Sequence, residues 1–250
     1  MRSVFRSLRR WPVVLAVAAS TGVGLVTVAT PASAAVTAIP PHPAFESSDA
    51  FGIWQSGRFL VYNNEWNTAV AGPQTIWADS HQHWGVESTQ SATTEVKTYP
   101  NVQLNYHSQP YTTIRSLRST FTESMPAVSD FDAEAAYDIW LNKFSVEVMV
   151  WVDNHGQTPS GHIIARIKIY GQEFAVWQGS QDQYSFTLSG KQETSGRVHL
   201  FSAVRWLVNH GFLSSSDTLD QVGFGWEIAS TDGKPMDFTM TRYSLTTGLN

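Results

Sequence analysis

The segment Lys143-Phe144-Ser145-Val146-Glu147-Val148-Met149-Val150-Trp151-Val152 has an apolar, mostly β-branched residue at every even position. Successive side chains of a strand point to opposite faces, so this pattern lays one face on a core and turns Ser145, Glu147, Met149 and Trp151 the other way. The pattern recurs. Ile167 and Ile169 alternate with Arg166 and Lys168, and Val222, Phe224, Trp226 and Ile228 alternate with Gln221, Gly223, Gly225 and Glu227. Gly, Asn, Asp and Ser separate such runs, as in an antiparallel sandwich or barrel. One stretch departs from period two. From Arg197 to His210 apolar residues fall at 200, 201, 204, 207 and 208, with Ser195 before and Gly211 after, which predicts an amphipathic helix. The expected fold class is all-β: two packed antiparallel sheets with one α-helix.

The start of the chain is set apart. Arg2, Arg6, Arg9 and Arg10 precede a mostly apolar run from Trp11 to about Val28, then Thr30-Pro31-Ala32-Ser33-Ala34. A basic start, an apolar middle and a small-residue site describe a secretory signal peptide over 1–34. A membrane anchor is the competing reading, weakened by Gly22, Gly24 and several Ser/Thr. Cleavage after Ala34 removes four arginines and no acid, so the net charge falls from −5 to −9. An acidic secreted chain is a poor partner for nucleic acid or for anionic membranes. Residues 35–50 are Pro-rich and aperiodic and are expected to form a flexible lead-in. No second linker or repeat follows, so 51–250 is expected to be one domain. The absence of cysteine excludes a disulfide scaffold, a thiol nucleophile and cysteine-ligated metal.

Two strand faces carry an acid where a plain core or solvent face would not. Glu147 shares its face with Met149 and Trp151, a partly apolar surface with one carboxylate, suited to the apolar faces and hydroxyls of sugar rings. A strand buried on both faces, with Glu147 at an edge, fits equally well. Glu227 ends a face with Gln221, Gly223 and Gly225, and glycine within a strand marks close approach by a ligand or another backbone. A bulge or bend with Glu227 exposed is the alternative. Taken together, two glutamates on concave faces of neighbouring strands are what glycoside hydrolysis requires, one to protonate the leaving oxygen and one to attack or to activate water.

Five segments, in order, then resemble a known family. They are Tyr62-Asn63-Asn64-Glu65-Trp66, Val96-Lys97-Thr98-Tyr99-Pro100-Asn101, Ala136-Tyr137-Asp138-Ile139-Trp140, Glu147-Val148-Met149-Val150-Trp151 and Gly225-Trp226-Glu227. The chain resembles glycoside hydrolase family 12, β-jelly-roll endoglucanases, over about 50–245. The resemblance implies an open concave cleft, Glu147 as nucleophile, Glu227 as general acid/base, and retention of configuration. It places Asp138 against the nucleophile and gives Asn64 and Trp66 to sugar binding. Met149 and Trp151 would floor the cleft, and Trp54 is a further candidate for substrate contact. The chain departs from the family in lacking its common disulfide, in continuing Glu227-Ile228-Ala229-Ser230, and in having Asn67 where Gly is frequent.

The function expected is a secreted, extracellular endo-β-1,4-glucanase that acts on cellulose or related β-glucans as a monomer, with no cofactor and no metal. Glu227 has to stay protonated near neutral or mildly acidic pH, and the negative charge opposite is expected to raise its pKa. Xyloglucan and mixed-linkage β-glucan are alternative substrates. Two rivals keep the fold: a non-catalytic carbohydrate-binding jelly roll, and a family 11 xylanase, against which the Glu-x-Met-x-Trp strand argues. His81 and His83 lack partners at metal-ligand spacing, and no Gly-x-Ser-x-Gly elbow supports a serine hydrolase.

Overall fold

The period-two runs form two sheets that face each other across one core. The computed structural model describes residues 39–180, 182–190 and 192–250; the expected signal peptide, 1–34, lies outside them. One sheet has six strands in the order β1 (Phe45–Ser47), β4 (Gln74–Ser80), β5 (His83–Ser88), β15 (Met236–Leu249), β7 (Ile114–Ser124) and β13 (Ser195–Val198). The other has nine: β10 (His162–Ile169), β11 (Gln172–Gln178), β12 (Gln183–Leu188), β9 (Val146–His155), β8 (Asp132–Leu141), β14 (Thr218–Ser230), β6 (Asn101–Pro110), β3 (Phe59–Tyr62) and β2 (Ile53–Ser56). Pairing is antiparallel with one exception, since β12 runs parallel to β9. No helix among the described residues is long and apolar enough to cross a membrane.

The core is aromatic. Trp84 and Trp226 meet at 4.9 Å, Tyr137 and Phe224 stack at 4.2 Å, and all four are fully buried. Such pairs contribute roughly 0.5–1.5 kcal/mol each beyond their buried area. Val148 and Val150 of β9 and Ile139 of β8 join the same core, and burying each contributes roughly 1.5–3 kcal/mol. A one-residue slip of β9 would exchange these valines for Glu147, Met149 and Trp151, so the core row holds Glu147 on the outer face.

Three expectations are corrected. Residues 35–50 are not merely a lead-in: β1 lies within them and pairs with β4, because Phe45 can stack on Trp54 at 6.1 Å with nearly parallel rings. Phe144 is not a core residue. Asn142, Lys143 and Phe144 all take left-handed backbone in the β8–β9 turn, so β9 begins at Val146 and Phe144 is 53% exposed. The helix α1 spans Leu200–Asn209 and starts later than expected, because residues 195–198 pair with β7 as β13. Its end matches the pattern: Gly211 follows with φ +77°, the left-handed step that glycine makes without strain.

β9 also carries a bulge. Trp151 pairs with Ala136 while Asp153 pairs with Ala135, so Val152 is the extra residue. Beyond it the parity of β9 reverses: Asp153 turns to the core side and Asn154 stands opposite Glu134 on the outer face.

Candidate active site

On the outer face of the nine-stranded sheet, β9, β8 and β14 lie side by side. Glu147 projects from β9 and Glu227 from β14, and these strands are not neighbours, contrary to expectation: β8 pairs with both and lies between them. Both line one cleft of about 430 Å³, together with Asn64, Trp66, Tyr99, Asn101, Gln103, Asp138, Trp140, Gln183 and Gln221. Asp138, on β8, stands between the two glutamates and feels the charge of each.

The local chemistry follows from register. Gln183 is the partner of Glu147 across the parallel β12–β9 pair, and its amide donates to Glu147 Oε2. Asp138 lies opposite Met149, one step diagonal from Glu147, and the two carboxyl groups share a hydrogen bond. Asp138 Oδ2 accepts from Trp140 Nε1 at 2.6 Å, whereas Oδ1 meets no donor. Burial, then the charges of Glu147 and Glu227, holds the Asp138 pKa well above the usual carboxylate range. Burial, then the charge of Glu227, pushes Glu147 up to about 7, while hydrogen bonds from Gln183 and Asp138 pull it down. Asp138 is the deeper of the two, so it keeps the proton and donates it, and Glu147 is the member that ionises. The pKa of Glu227 is raised as expected, but by burial rather than by the charge opposite.

The glycines of β14 make room for the chain itself. A Cβ on Gly225 would lie 1.9 Å from Pro100 O, and one on Gly223 would lie 3.4 Å from Tyr99 Oη. Of the two reasons for close approach, ligand or backbone, Gly225 answers to the second. Tyr99 is thereby seated in the cleft floor, its hydroxyl donating to Ala136 O at 3.0 Å.

The Asn-Asn segment divides its duties. Asn63 is buried, donating to Asp49 O and Glu65 Oε1 while Gln74 Nε2 donates to its side chain and carbonyl, which pins the loop. Asn64 takes left-handed backbone (φ 44°) and donates to Tyr99 O at the cleft wall. Trp66, 50% exposed, is the aromatic ring at the cleft's edge.

The remaining candidates fall outside this cleft. Met149 and Trp151 lie on the cleft face but are buried, packed with Ala136 in a small apolar patch. Trp151 lines a second hollow of about 260 Å³ with Trp177, Asn154 and Gln192 among its walls. Trp54 is on the opposite side of the sheet: its partner on β3 is Val61, a core residue, and it packs on Phe45. The cleft face of β2 carries Ile53 and Gln55 instead. His81 stacks on Phe59 and His83 pairs with Asp79 at the β4–β5 turn. Among the described residues no group of His, Asp or Glu is placed to hold a metal ion.

Sequence reasoning missed Gln183, Trp140, Tyr99, Asn101, Gln103 and Glu134, and placed Gln221 on the face of Glu227 without giving it a role. Trp140 and Glu134 were within reach, since both share the parity of Asp138 on one strand. Gln183 carries no local signal, because only the parallel pairing of β12 with β9 brings it to Glu147.

The model of "Glycosyl hydrolase family 12" matches residues 57–247. The chain belongs to glycosyl hydrolase family 12. Among its relatives, the xyloglucan-specific endo-beta-1,4-glucanase A of Emericella nidulans is 27% identical, over 79% of this chain and 90% of the relative. The inactive glycoside hydrolase XLP1 of Phytophthora nicotianae is 25% identical, over 84% of this chain and 94% of that protein. The xyloglucanase domain of NopAA from Sinorhizobium fredii, solved with cellobiose, shares the fold with a TM-score of 0.76 at 24% identity, over 83% of this chain and 100% of that one. The catalytic domain of Humicola grisea Cel12A shares it with a TM-score of 0.73 at 20% identity, over 82% of this chain and 99% of the other. The family is one of glycoside hydrolases, although one of these relatives is named as inactive.

Proposed function

We propose that this chain is a secreted, retaining endo-β-1,4-glucanase whose preferred substrate is xyloglucan. The observation that carries the reading is the pair of glutamates lining one cleft from either side of β8, with buried Asp138 between them. Glu227, held protonated by burial, gives its proton to the leaving glycosidic oxygen as the C1–O bond breaks. Glu147, ionised and steadied by Gln183 and Asp138, bonds to C1 from the opposite side. Water then attacks C1, Glu227 accepts its proton, and Glu147 leaves. Asn64, Asn101, Gln103 and Gln221 supply amides to sugar hydroxyls, and Trp66 offers a ring face at the cleft's edge. Secretion rests on the N-terminal pattern of residues 1–34. The preference for xyloglucan, over the plain cellulose chain expected at first, rests on the xyloglucan-specific enzymes among the relatives.

The test is hydrolysis of xyloglucan, mixed-linkage β-glucan and carboxymethyl cellulose by the purified full chain, with the first-formed product followed by proton NMR. The highest kcat/KM is expected on xyloglucan, with the β-anomer released first. An α-anomer would remove Glu147 from the nucleophile's role. Binding to all three glucans without turnover would leave a sugar-binding jelly roll.

A further inference from the structure

β8 sends two carboxyl groups to the cleft face, four residues apart. Asp138 backs Glu147, and Glu134 stands at the register position opposite Glu227. The surroundings of Glu134 are unusual for an acid. It is 0% exposed, neither of its carboxyl oxygens meets a hydrogen-bond donor, and it belongs to none of the ion pairs among the described residues. A buried carboxylate with neither donor nor cation is too costly to persist, so Glu134 carries a proton. A protonated carboxyl is itself a donor and needs an acceptor.

Each neighbouring element can be asked for that acceptor. On β9 the partner is Asn154, which is uncharged and already committed: its amide donates to Gln157 O, and its Oδ1 accepts from Gln157 N. On β8 itself the nearest titratable group is Asp132, which acts on Glu134 only through its charge. On β14 the partner is Glu227, set directly opposite Glu134 in the register, and its charge is the first among those that act on Glu134.

We infer that Glu134 is the positioning residue of the acid/base: it keeps its own proton, donates it in a hydrogen bond to one oxygen of Glu227, and leaves the other oxygen to face the cleft with the transferable proton. The inference rests on Glu227 being the acid/base. As Glu227 protonates the leaving oxygen and the C1–O bond breaks, the new carboxylate is stabilised by the Glu134 O–H. As water then bonds to C1 and gives its proton to Glu227, the proton of Glu134 stays in place. The site is thus built twice over, with Glu147 backed by Asp138, Glu227 backed by Glu134, and both backing acids on the strand between. Burial, with the charge of Glu227 second, holds Glu134 well above the usual carboxylate range, which agrees with a proton that stays.

The test compares wild type with Glu134→Leu, Glu134→Gln and Glu227→Ala on phenyl and 2,4-dinitrophenyl β-cellotriosides across pH. Losing a donor to the charged form of Glu227 raises the pKa of that group, so in Glu134→Leu the basic limb of kcat/KM should move to higher pH, by about one unit. Turnover of the phenyl glycoside, which needs acid assistance, should fall about tenfold or more, and that of the dinitrophenyl glycoside much less. Glu134→Gln restores a neutral donor and should return both readings most of the way. If Glu134→Leu fails to fold, infrared difference spectra of wild type against Glu134→Gln at pH 7 decide instead: a protonated-carboxyl C=O band lost in the variant supports the inference. A carboxylate band lost in its place overturns it. So does a basic limb that moves to lower pH, the mark of an anion removed, or an equal loss on both glycosides with the limb unmoved. Glu227→Ala separates the two readings. If it fails to spare the dinitrophenyl substrate, the acid/base assignment falls and takes this inference with it; if it behaves as an acid/base variant, only Glu134 is at stake.

Discussion

The two faces of the nine-stranded sheet make opposite use of the same strands. Toward the six-stranded sheet, Tyr137, Ile139, Val148, Val150, Phe224 and Trp226 form a dry, interlocked core. Away from it, Glu134, Asp138, Glu147 and Glu227 share a surface with amides and two indole rings. Yet the core side also holds a carboxyl pair. Glu123 of β7 feels the charge of Asp153 of β9 between the sheets, and Trp226 Nε1 donates to Glu123 Oε2 at 3.0 Å. Burial pushes Glu123 up to about 8, a larger displacement than that of Glu147. A displaced pKa therefore marks buried carboxyl pairs on both faces and singles out neither as a site of chemistry. Access separates them: among the described residues Asp138, Glu147 and Glu227 line an open cleft, whereas Glu123 is buried between the sheets.

The sharpest way to break this contrast is to neutralise the two glutamates proposed to act on the glycosidic bond. Glu147→Gln and Glu227→Gln should each lose on the order of 10³-fold or more in turnover, several kcal/mol of transition-state stabilisation. They should differ in kind. On a dinitrophenyl glycoside Glu227→Gln recovers much of its first step, because that leaving group needs little protonation, whereas Glu147→Gln recovers none. Measuring kcat/KM on both substrate types checks this, and near-wild-type turnover of a β-glucan by either variant removes that residue from its role.

A smaller effect belongs to Asp138. A hydrogen bond to a charged group is worth about 1.5–3 kcal/mol, so Asp138→Ala should lose about 10- to 100-fold in kcat. The sign of its pH effect is fixed. The lost hydrogen bond favours ionised Glu147, so the pKa of Glu147 rises and the acidic limb of the profile moves to higher pH. Asp138→Asn can still accept from Trp140 and donate to Glu147, and should stay within about tenfold of wild type. An Asn variant as damaged as the Ala variant would mean that Asp138 works as an anion, against the pairing described for the cleft.

How much of this contrast was legible in the sequence depends on whether a residue's neighbours lie along its own strand or across the sheet. Alternation placed Glu147 and Glu227 on outer faces, because parity needs no knowledge of partners. The motif-bearing Asn64, Trp66 and Asp138 came with the family resemblance and now line the same cleft. Trp54 did not, since a lone aromatic on an edge strand has no parity signal strong enough to choose a side, and Phe45 drew it to the core. Trp151 keeps its expected face but is 4% exposed, buried by neighbours that only pairing reveals. Glu134 was legible by parity with Asp138, but nothing along the chain says that β14 sets Glu227 opposite it. Asp153 was legible only in part, because the bulge at Val152 reverses parity there.

The interior pair supplies the smallest expected effect and the cleanest control, because it should change stability and leave catalysis alone. Glu123 binds its proton in the folded protein up to about pH 8 and releases it in the unfolded chain near the ordinary carboxylate value. Between those limits the folded state holds one proton more than the unfolded state can, so rising pH removes stability, fully present below the unfolded value and lost as the pH climbs through about 8. Glu123→Gln has no proton to lose. Its amide N–H can donate to Asp153, and its oxygen can accept from Trp226 Nε1. Wild type and variant should therefore unfold at similar temperatures at pH 5. Above pH 8 the variant should be the more stable of the two by an amount on the order of a few kcal/mol, with kcat unchanged at both values. Thermal unfolding and activity measured on the same samples check this. A Glu123→Gln variant that loses turnover while its melting temperature holds would place the interior pair inside the catalytic apparatus and dissolve the distinction between the two faces.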